Sequence, residues 1–224
     1  MKNTDAHKVI KVAIADDHAL FRAGVKTALA IKKDVELIAE ADNGMQLLNL
    51  LKHIEPDVIL LDIQMPIMDG IQTLPEIRKI RPNAKVIILS MHNDHSMISK
   101  LMEIGANSYL TKNSDSETIY QAIKTCFESE FYFNELTNKA LLNGLRNKKP
   151  EPVGVIDAQL NEKEKRVLKL MCEEKTTKEI ADIVDISPRT VEAIRDKLKN
   201  KTGAKSMAGL VMYAVKNGII SQNN

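Results

Sequence analysis

Five side chains in the first half of the chain have the types needed for phosphoryl chemistry: Asp16, Asp17, Asp62, Ser90 and Lys112. Each ends or closely follows a short apolar run. Carboxylates gathered in a small space repel one another unless a cation lies between them. Hard oxygen ligands in this number suit Mg²⁺, which keeps several waters and accepts phosphate oxygens as further ligands. A metal beside Asp62 would make that carboxylate a nucleophile toward phosphorus and would shield the charge that develops. The Ser90 hydroxyl and the Lys112 ammonium could hold the remaining phosphoryl oxygens. The chain has no Gly-rich phosphate loop and no GxGxxG, so a nucleotide is not implied. Aspartate at a strand end also closes turns and caps helices. The convergence of all five positions on one rim is what marks a site.

A scaffold must bring them together. Apolar runs at 9–15, 35–41, 58–61, 86–89 and 108–110 are short and bounded by Asp, Asn, Pro or Gly, as buried parallel strands are. Amphipathic stretches lie between them, at 19–30, 45–53, 71–80, 96–104 and 116–126. Strand–helix alternation predicts an α/β, doubly wound, five-stranded parallel sheet with helices on both faces. In such a sheet ligands collect at the carboxyl ends of the strands, where all five residues fall.

The 224 residues are 44% hydrophobic with a formal net charge of +2. This is globular composition, with no global field advertising a polyanionic partner. Two cysteines, Cys126 and Cys172, exclude a disulfide framework and a multi-cysteine zinc site. No apolar run approaches the ~18 residues of a membrane span, and the N-terminus lacks a leader pattern. The expectation is a cytoplasmic protein with no membrane partner.

The pattern changes past residue 126. Residues 127–133 are aromatic and acidic, and read either as a domain contact or, by preference, as the buried end of the fifth helix. A helix is expected over 134–146. The stretch NKKPEPVGV at 147–155 has the prolines, glycine and charges of a linker. From residue 157 only helical patterning remains. The expected division is 1–126, a linker with a helix at 127–156, and a small all-α domain at 157–224. In that domain Asn161 and Glu164 form a capping-box pair. Thr177 is the expected cap of the second helix, and Ser187 with Pro188 opens the third. A short helix, a tight turn and a longer helix is a helix-turn-helix arrangement, whose second helix enters a DNA major groove.

The motifs IADDHALFRAG, VILLDIQMPIMDG, VIILSMHND and GANSYLTKN resemble the flavodoxin-like receiver domain of bacterial two-component response regulators, and the match covers residues 8–126. The resemblance implies a phospho-acceptor at Asp62. It implies Mg²⁺ held by Asp17 and Asp62, helped by Asp16 through water and by the backbone carbonyl of Gln64. It implies switch roles for Ser90 and Tyr109 and a phosphate contact for Lys112. Phosphorylation would then favour one of two pre-existing arrangements, with Ser90 moving to the phosphoryl group and Tyr109 swinging inward.

The stretches LNEKEKRVLKLM and TTKEIADIVDISPRTVEAIRDKLKNKTG resemble the LuxR-type output domain, so the whole chain is similar to NarL/FixJ-type regulators. The resemblance implies a sensor histidine kinase as donor, dimerisation on phosphorylation and binding to promoter repeats. It implies a regulator rather than an enzyme, with self-phosphorylation from small donors and self-dephosphorylation as the receiver's own chemistry. Expected DNA-contacting positions are Lys178, Ser187, Arg189, Thr190, Glu192, Ala193, Arg195 and Lys199. One departure matters: Glu192 and Asp196 stand where the family usually has basic or polar residues. Residues 151–224 carry 13 Lys and Arg against 11 Asp and Glu, a net of only +2. Phosphate contacts normally dominate affinity, although Glu192 could accept from a cytosine amino group. Two other readings therefore stand beside DNA binding: a phospho-switched protein-interaction module, and a phosphoryl sink with an idle output domain.

Overall fold

The computed structural model describes residues 8–147, 160–173, 175–204 and 207–220. It has five strands: β1 (Ile10–Ala15), β2 (Val35–Ala41), β3 (Val58–Asp62), β4 (Lys85–Ser90) and β5 (Ser108–Thr111). They form one parallel sheet in the order β2-β1-β3-β4-β5. Strand β3 is buried along its whole length, and β1 and β4 almost so, because helices cover both faces. That is why these strands read as continuous apolar runs rather than as alternating ones.

Five helices alternate with the strands: α1 (Ala19–Ala30), α2 (Gly44–Leu50), α3 (Gly70–Ile80), α4 (His95–Ile104) and α5 (Ser116–Ser129). Side-chain caps set the starts of α2, α3 and α4. Asn43 accepts from the Gln46 amide, Asp94 from the Met97 amide, and Asp69 forms a full capping box with Gln72. Helix α6 (Glu135–Asn147) follows, then α7 (Glu162–Cys172), α8 (Thr177–Val184), α9 (Pro188–Thr202) and α10 (Met207–Lys216). Asn161 caps α7 with Glu164, as the sequence suggests. The cap of α8 is Thr176 rather than Thr177: its hydroxyl accepts from the Glu179 amide and the Glu179 carboxylate reaches back, which leaves Thr177 as the first helical residue.

Packing divides the chain into two compact units. One is Met1–His92 with Leu110–Phe127; the other is Asn93–Tyr109 with Glu128–Asn224. This division differs from the linear one because α4 packs on α6, and so joins the later helices. The expected boundary at 156/157 and the stretch 148–155 lie outside the described residues.

In the second unit the helical core is Val167, Leu168, Met171, Ile180, Val191, Leu198, Leu210 and neighbours. Phe131 packs against it and stacks on Phe133, with ring centroids 5.8 Å apart. Only the first part of the 127–133 segment is the end of the fifth helix: α5 stops at Ser129, and Glu130 takes a left-handed backbone (φ 78°) that turns the chain out of it. Segment 130–134 is stitched to the start of β5. Ser108 Oγ donates to the Tyr132 carbonyl at 2.7 Å, and Asn134 Nδ2 donates to the Tyr109 carbonyl at 2.9 Å.

Candidate functional site

The carboxyl ends of the strands in the first unit carry the acidic cluster. Asp16 follows β1 directly and is fully buried, its amide donating to the Ala41 carbonyl at 3.0 Å. Asp62 is the last residue of β3 and 2% exposed. The Lys112 ammonium bridges the two, 2.7 Å from Asp16 Oδ2 and 2.7 Å from Asp62 Oδ2. Its backbone amide donates to the Ser90 carbonyl at 2.8 Å, which fixes where the side chain starts. Ser90 ends β4, buried, and its hydroxyl accepts from the His92 amide at 3.1 Å. Asp17 is exposed at the rim. The Gln64 amide donates to Asp62 Oδ1 at 3.2 Å.

The loop after β3 holds the Asp62 end of the strand in place. The Gly70 amide donates to the Ile63 carbonyl at 2.9 Å. A Cβ on Gly70 would stand 2.2 Å from the Asp62 carbonyl oxygen, so only glycine lets α3 approach the end of β3 this closely.

Electrostatics agree with the geometry. Burial raises the Asp62 carboxyl above its ordinary value, against the Lys112 hydrogen bond, and the nearby Asp16 charge adds to the rise. Burial alone would lower the Lys112 ammonium, but its hydrogen bonds to Asp16 and Asp62 outweigh that and raise it. Lys112 pairs with Asp16 and Asp62 but not with Asp17, so three carboxylates stand against one ammonium and the cluster is two positive charges short of neutrality. Ligand atoms of Asp16, Asp17, Asp62 and also His18 lie within 4.8 Å of one another. That donor set fits a divalent cation with oxygen preference.

His18 is the residue that sequence reasoning missed. Its Nδ1 lies 2.8 Å from Asp17 Oδ1 and 3.2 Å from Asp16 Oδ1. Its place directly after Asp16-Asp17 was the available signal. Tyr109 is fully buried in β5.

In the second unit α8, a turn and α9 form the helix-turn-helix. Asp185 ends α8 in the left-handed conformation, and the Ile186 amide returns to the Ala181 carbonyl at 2.9 Å. The Ser187 hydroxyl then accepts from the Thr190 amide at 3.1 Å, and Pro188 opens α9. Lys178, Ser187, Arg189, Thr190, Glu192 and Ala193 are exposed, and Lys199 is half-buried. Arg195 departs from the expected DNA face. It shares the core-facing stripe with Val191 and Leu198, is 8% exposed, and pairs with Glu130 Oε2 at 2.8 Å. Glu192 and Asp196 are exposed, away from that stripe.

A buried acceptor-like carboxylate at the end of the central strand, beside a cation-hungry cluster and a lysine, defines a receiver-type site. Comparison with known proteins identifies the class. The model for the response regulator receiver domain matches residues 12–124, and that for bacterial regulatory proteins of the luxR family matches residues 158–214. The oxygen regulatory protein NreC of Staphylococcus aureus is 31% identical over 215 residues, covering 94% of this chain and 99% of that one. The receiver domain of the response regulator NarL from Mycobacterium tuberculosis is 36% identical with a TM-score of 0.51, covering 54% of this chain and 97% of that one. The RcsB response regulator solved in a DNA complex shares the fold, at 22% identity and a TM-score of 0.56, covering 96% of this chain and 100% of that one. The chain belongs to the two-component response regulators that join a receiver to a LuxR-type helix-turn-helix DNA-binding domain. No helix among the described residues is long and apolar enough to cross a membrane.

Proposed function

We propose that this regulator accepts a phosphoryl group on Asp62 from a sensor histidine kinase in the cytoplasm, and that the modification controls dimerisation and binding to promoter repeats. The observation that carries the reading is the Asp16–Lys112–Asp62 bridge, with both carboxylates buried at strand ends. A bound Mg²⁺ would be held by Asp17, Asp62, the Gln64 carbonyl and, through water, Asp16, and would neutralise charge on the transferring phosphoryl group. An Asp62 carboxylate oxygen attacks phosphorus as the donor's bond to phosphorus breaks, and the donor leaves with the electron pair. Lys112 already touches Asp62 Oδ2 and passes to a phosphoryl oxygen; the Ser90 hydroxyl donates to another. The protein is a regulator rather than an enzyme. Small phospho-donors serve the same acceptor, and its dephosphorylation is its own. DNA reading falls to α9, through Arg189, Thr190, Glu192 and Ala193 from its exposed face, flanked by Lys178, Ser187 and Lys199. The RcsB–DNA complex supports DNA as the partner of this fold.

A second reading, a phospho-switched protein-interaction module or phosphoryl sink, is favoured by the two carboxylates exposed on α9. Selection of genomic DNA fragments by the purified protein, with Mg²⁺ and a phosphoryl donor, separates them. Enrichment of a discrete repeat that is lost in Asp62→Ala is the expected result. A phosphorylated protein that enriches nothing overturns DNA reading and leaves the second.

A further inference from the structure

A cavity of about 610 Å³ opens beside the acceptor in the first unit, between α1 and α5. Its mouth is made by residues of the site itself. His18 touches Asp16 and Asp17, and Lys112 touches Asp16 and Asp62. From there the walls turn apolar, with Leu20, Phe21, Val25 and Ala28 on α1 and Ile119 on α5. The Lys112 ammonium stands 5.3 Å from the Phe21 ring centroid, so the charged mouth passes directly into the apolar interior. Gly24 lies in the middle of α1, where an alanine would be favoured by helix propensity, and a Cβ there would meet nothing within 4 Å. The missing side chain adds to the open space. The volume lies in the range of small-ligand pockets.

We propose that this cavity is a leaving-group pocket, which makes the protein selective for small acyl phosphates with an aromatic or other bulky apolar acyl group. The inference rests on Asp62 being the phospho-acceptor. The polar end of such a donor meets His18, Lys112 and the carboxylate cluster, while its apolar end has Leu20, Phe21 and Ile119 to cover it. Charge complementarity fixes the orientation. An unneutralised acidic rim repels a free carboxylate, whereas a phosphoryl group is what the rim with its cation takes. An Asp62 carboxylate oxygen bonds to phosphorus, the bond from phosphorus to the acyl oxygen breaks, and the acyl group leaves as a carboxylate with the electron pair. Asp62 reacts ionised, so no proton moves.

The test compares benzoyl phosphate with acetyl phosphate on the full-length protein at equal subsaturating concentrations, reading Asp62 phosphorylation by phosphate-affinity gel and intact mass. Each donor's rate is divided by its own hydrolysis rate. The wild type should favour benzoyl phosphate at least about tenfold, a difference of about 1.4 kcal/mol. Removing about 55 Å² of apolar surface from water is enough for that. Gly24→Leu fills the cavity and should bring the ratio close to one. Leu20→Ala, at a side chain 88% exposed and therefore safe for folding, should lower it severalfold. Binding is read separately by amide shifts of α1 and α5 with phenylphosphonate, which cannot transfer its phosphorus. A wild-type ratio near one, or a ratio unchanged by both variants, overturns the proposal. Phosphorylation by acetyl phosphate shows in the same experiment that the acceptor reading stands even if the pocket reading falls. Labelling by neither donor removes both.

Discussion

Ile67 sits in the loop after β3 with φ 69°, a left-handed backbone that β-branched residues rarely adopt, and its side chain is 81% exposed. That conformation costs roughly 1–2 kcal/mol for a residue with a Cβ, and an exposed side chain returns little of it. Glycine removes the clash but loses about 0.5–1 kcal/mol of chain entropy on folding. Ile67→Gly should therefore stabilise the protein by about 0.5–1 kcal/mol, read as a higher urea midpoint at unchanged slope; a lower midpoint would show that Ile67 has packing worth more than its strain. The acidic cluster gives a second expectation at this scale. A cation that binds only the folded state stabilises it by mass action, about 2.7 kcal/mol at a hundred times its dissociation constant. Adding MgCl₂ should raise the melting temperature, chelation should reverse the rise, and Asp17→Ala should blunt it. An equal rise in Asp17→Ala would place the cation elsewhere.

Among the elements, α7 is anchored by one buried acid. Glu164 is 2% exposed, closes the capping box with Asn161, and meets Lys201 at 2.7 Å and Lys197 at 3.3 Å on α9. Burial would raise its carboxyl, but the Lys201 hydrogen bond, the Asn161 amide and Lys197 together hold it below its ordinary 4.5. A carboxyl lowered on folding contributes stability that is full above the ordinary value and disappears as pH falls through the lowered one. Glutamine keeps the capping box and removes only the charge. The lysines are 31% and 59% exposed, so neither is left stranded, and Glu164→Gln should cost about 1 kcal/mol rather than the 3–5 of a fully buried pair. The difference should shrink toward zero in urea titrations repeated below pH 4.5; a gap constant with pH would assign the cost to packing. The Asn161–Glu164 pair itself was legible, because a capping box is a local pattern. So were the strands, all read within about one residue, because an apolar run bounded by turn residues is local too. The lysines that Glu164 meets were not legible, and neither was the placement of Phe131 against the helical core. Those contacts join residues distant along the chain, and no periodicity encodes a partner.

For the molecule as a whole, the question is which positive charge is free to meet DNA. The acidic cluster could be read from sequence because parallel strands deliver their ends to one rim. The output face was read less well: Val191, Arg195 and Leu198 are spaced i, i+4, i+7 on one helix stripe, but an arginine is rarely buried unless paired, and its partner Glu130 lies far along the chain. What the exposed part of α9 offers is Arg189 and Lys197 against Glu192 and Asp196, which cancel. Arg195 is held by Glu130, whose left-handed backbone sets the turn after α5 and whose carbonyl accepts from Asn107 Nδ2 at 2.8 Å. Affinity for a duplex falls with salt by a logarithmic slope of about 0.9 for each phosphate contact. A protein with few free cations should show a shallow slope, and each one added should steepen it by about that amount. Asp196→Lys is expected to steepen the slope by about 0.9 and to tighten binding to all sequences alike, measured by fluorescence anisotropy over roughly 50 to 200 mM salt. Glu130→Gln removes the charge that holds Arg195 while keeping the side chain's size. If Arg195 is a contact kept in reserve, this variant steepens the slope by one further contact. If Arg195 serves the packing of α9 alone, the slope stays where it was and the melting temperature falls, because a guanidinium 8% exposed has lost its carboxylate partner and keeps only the Thr177 hydroxyl, at 3.3 Å.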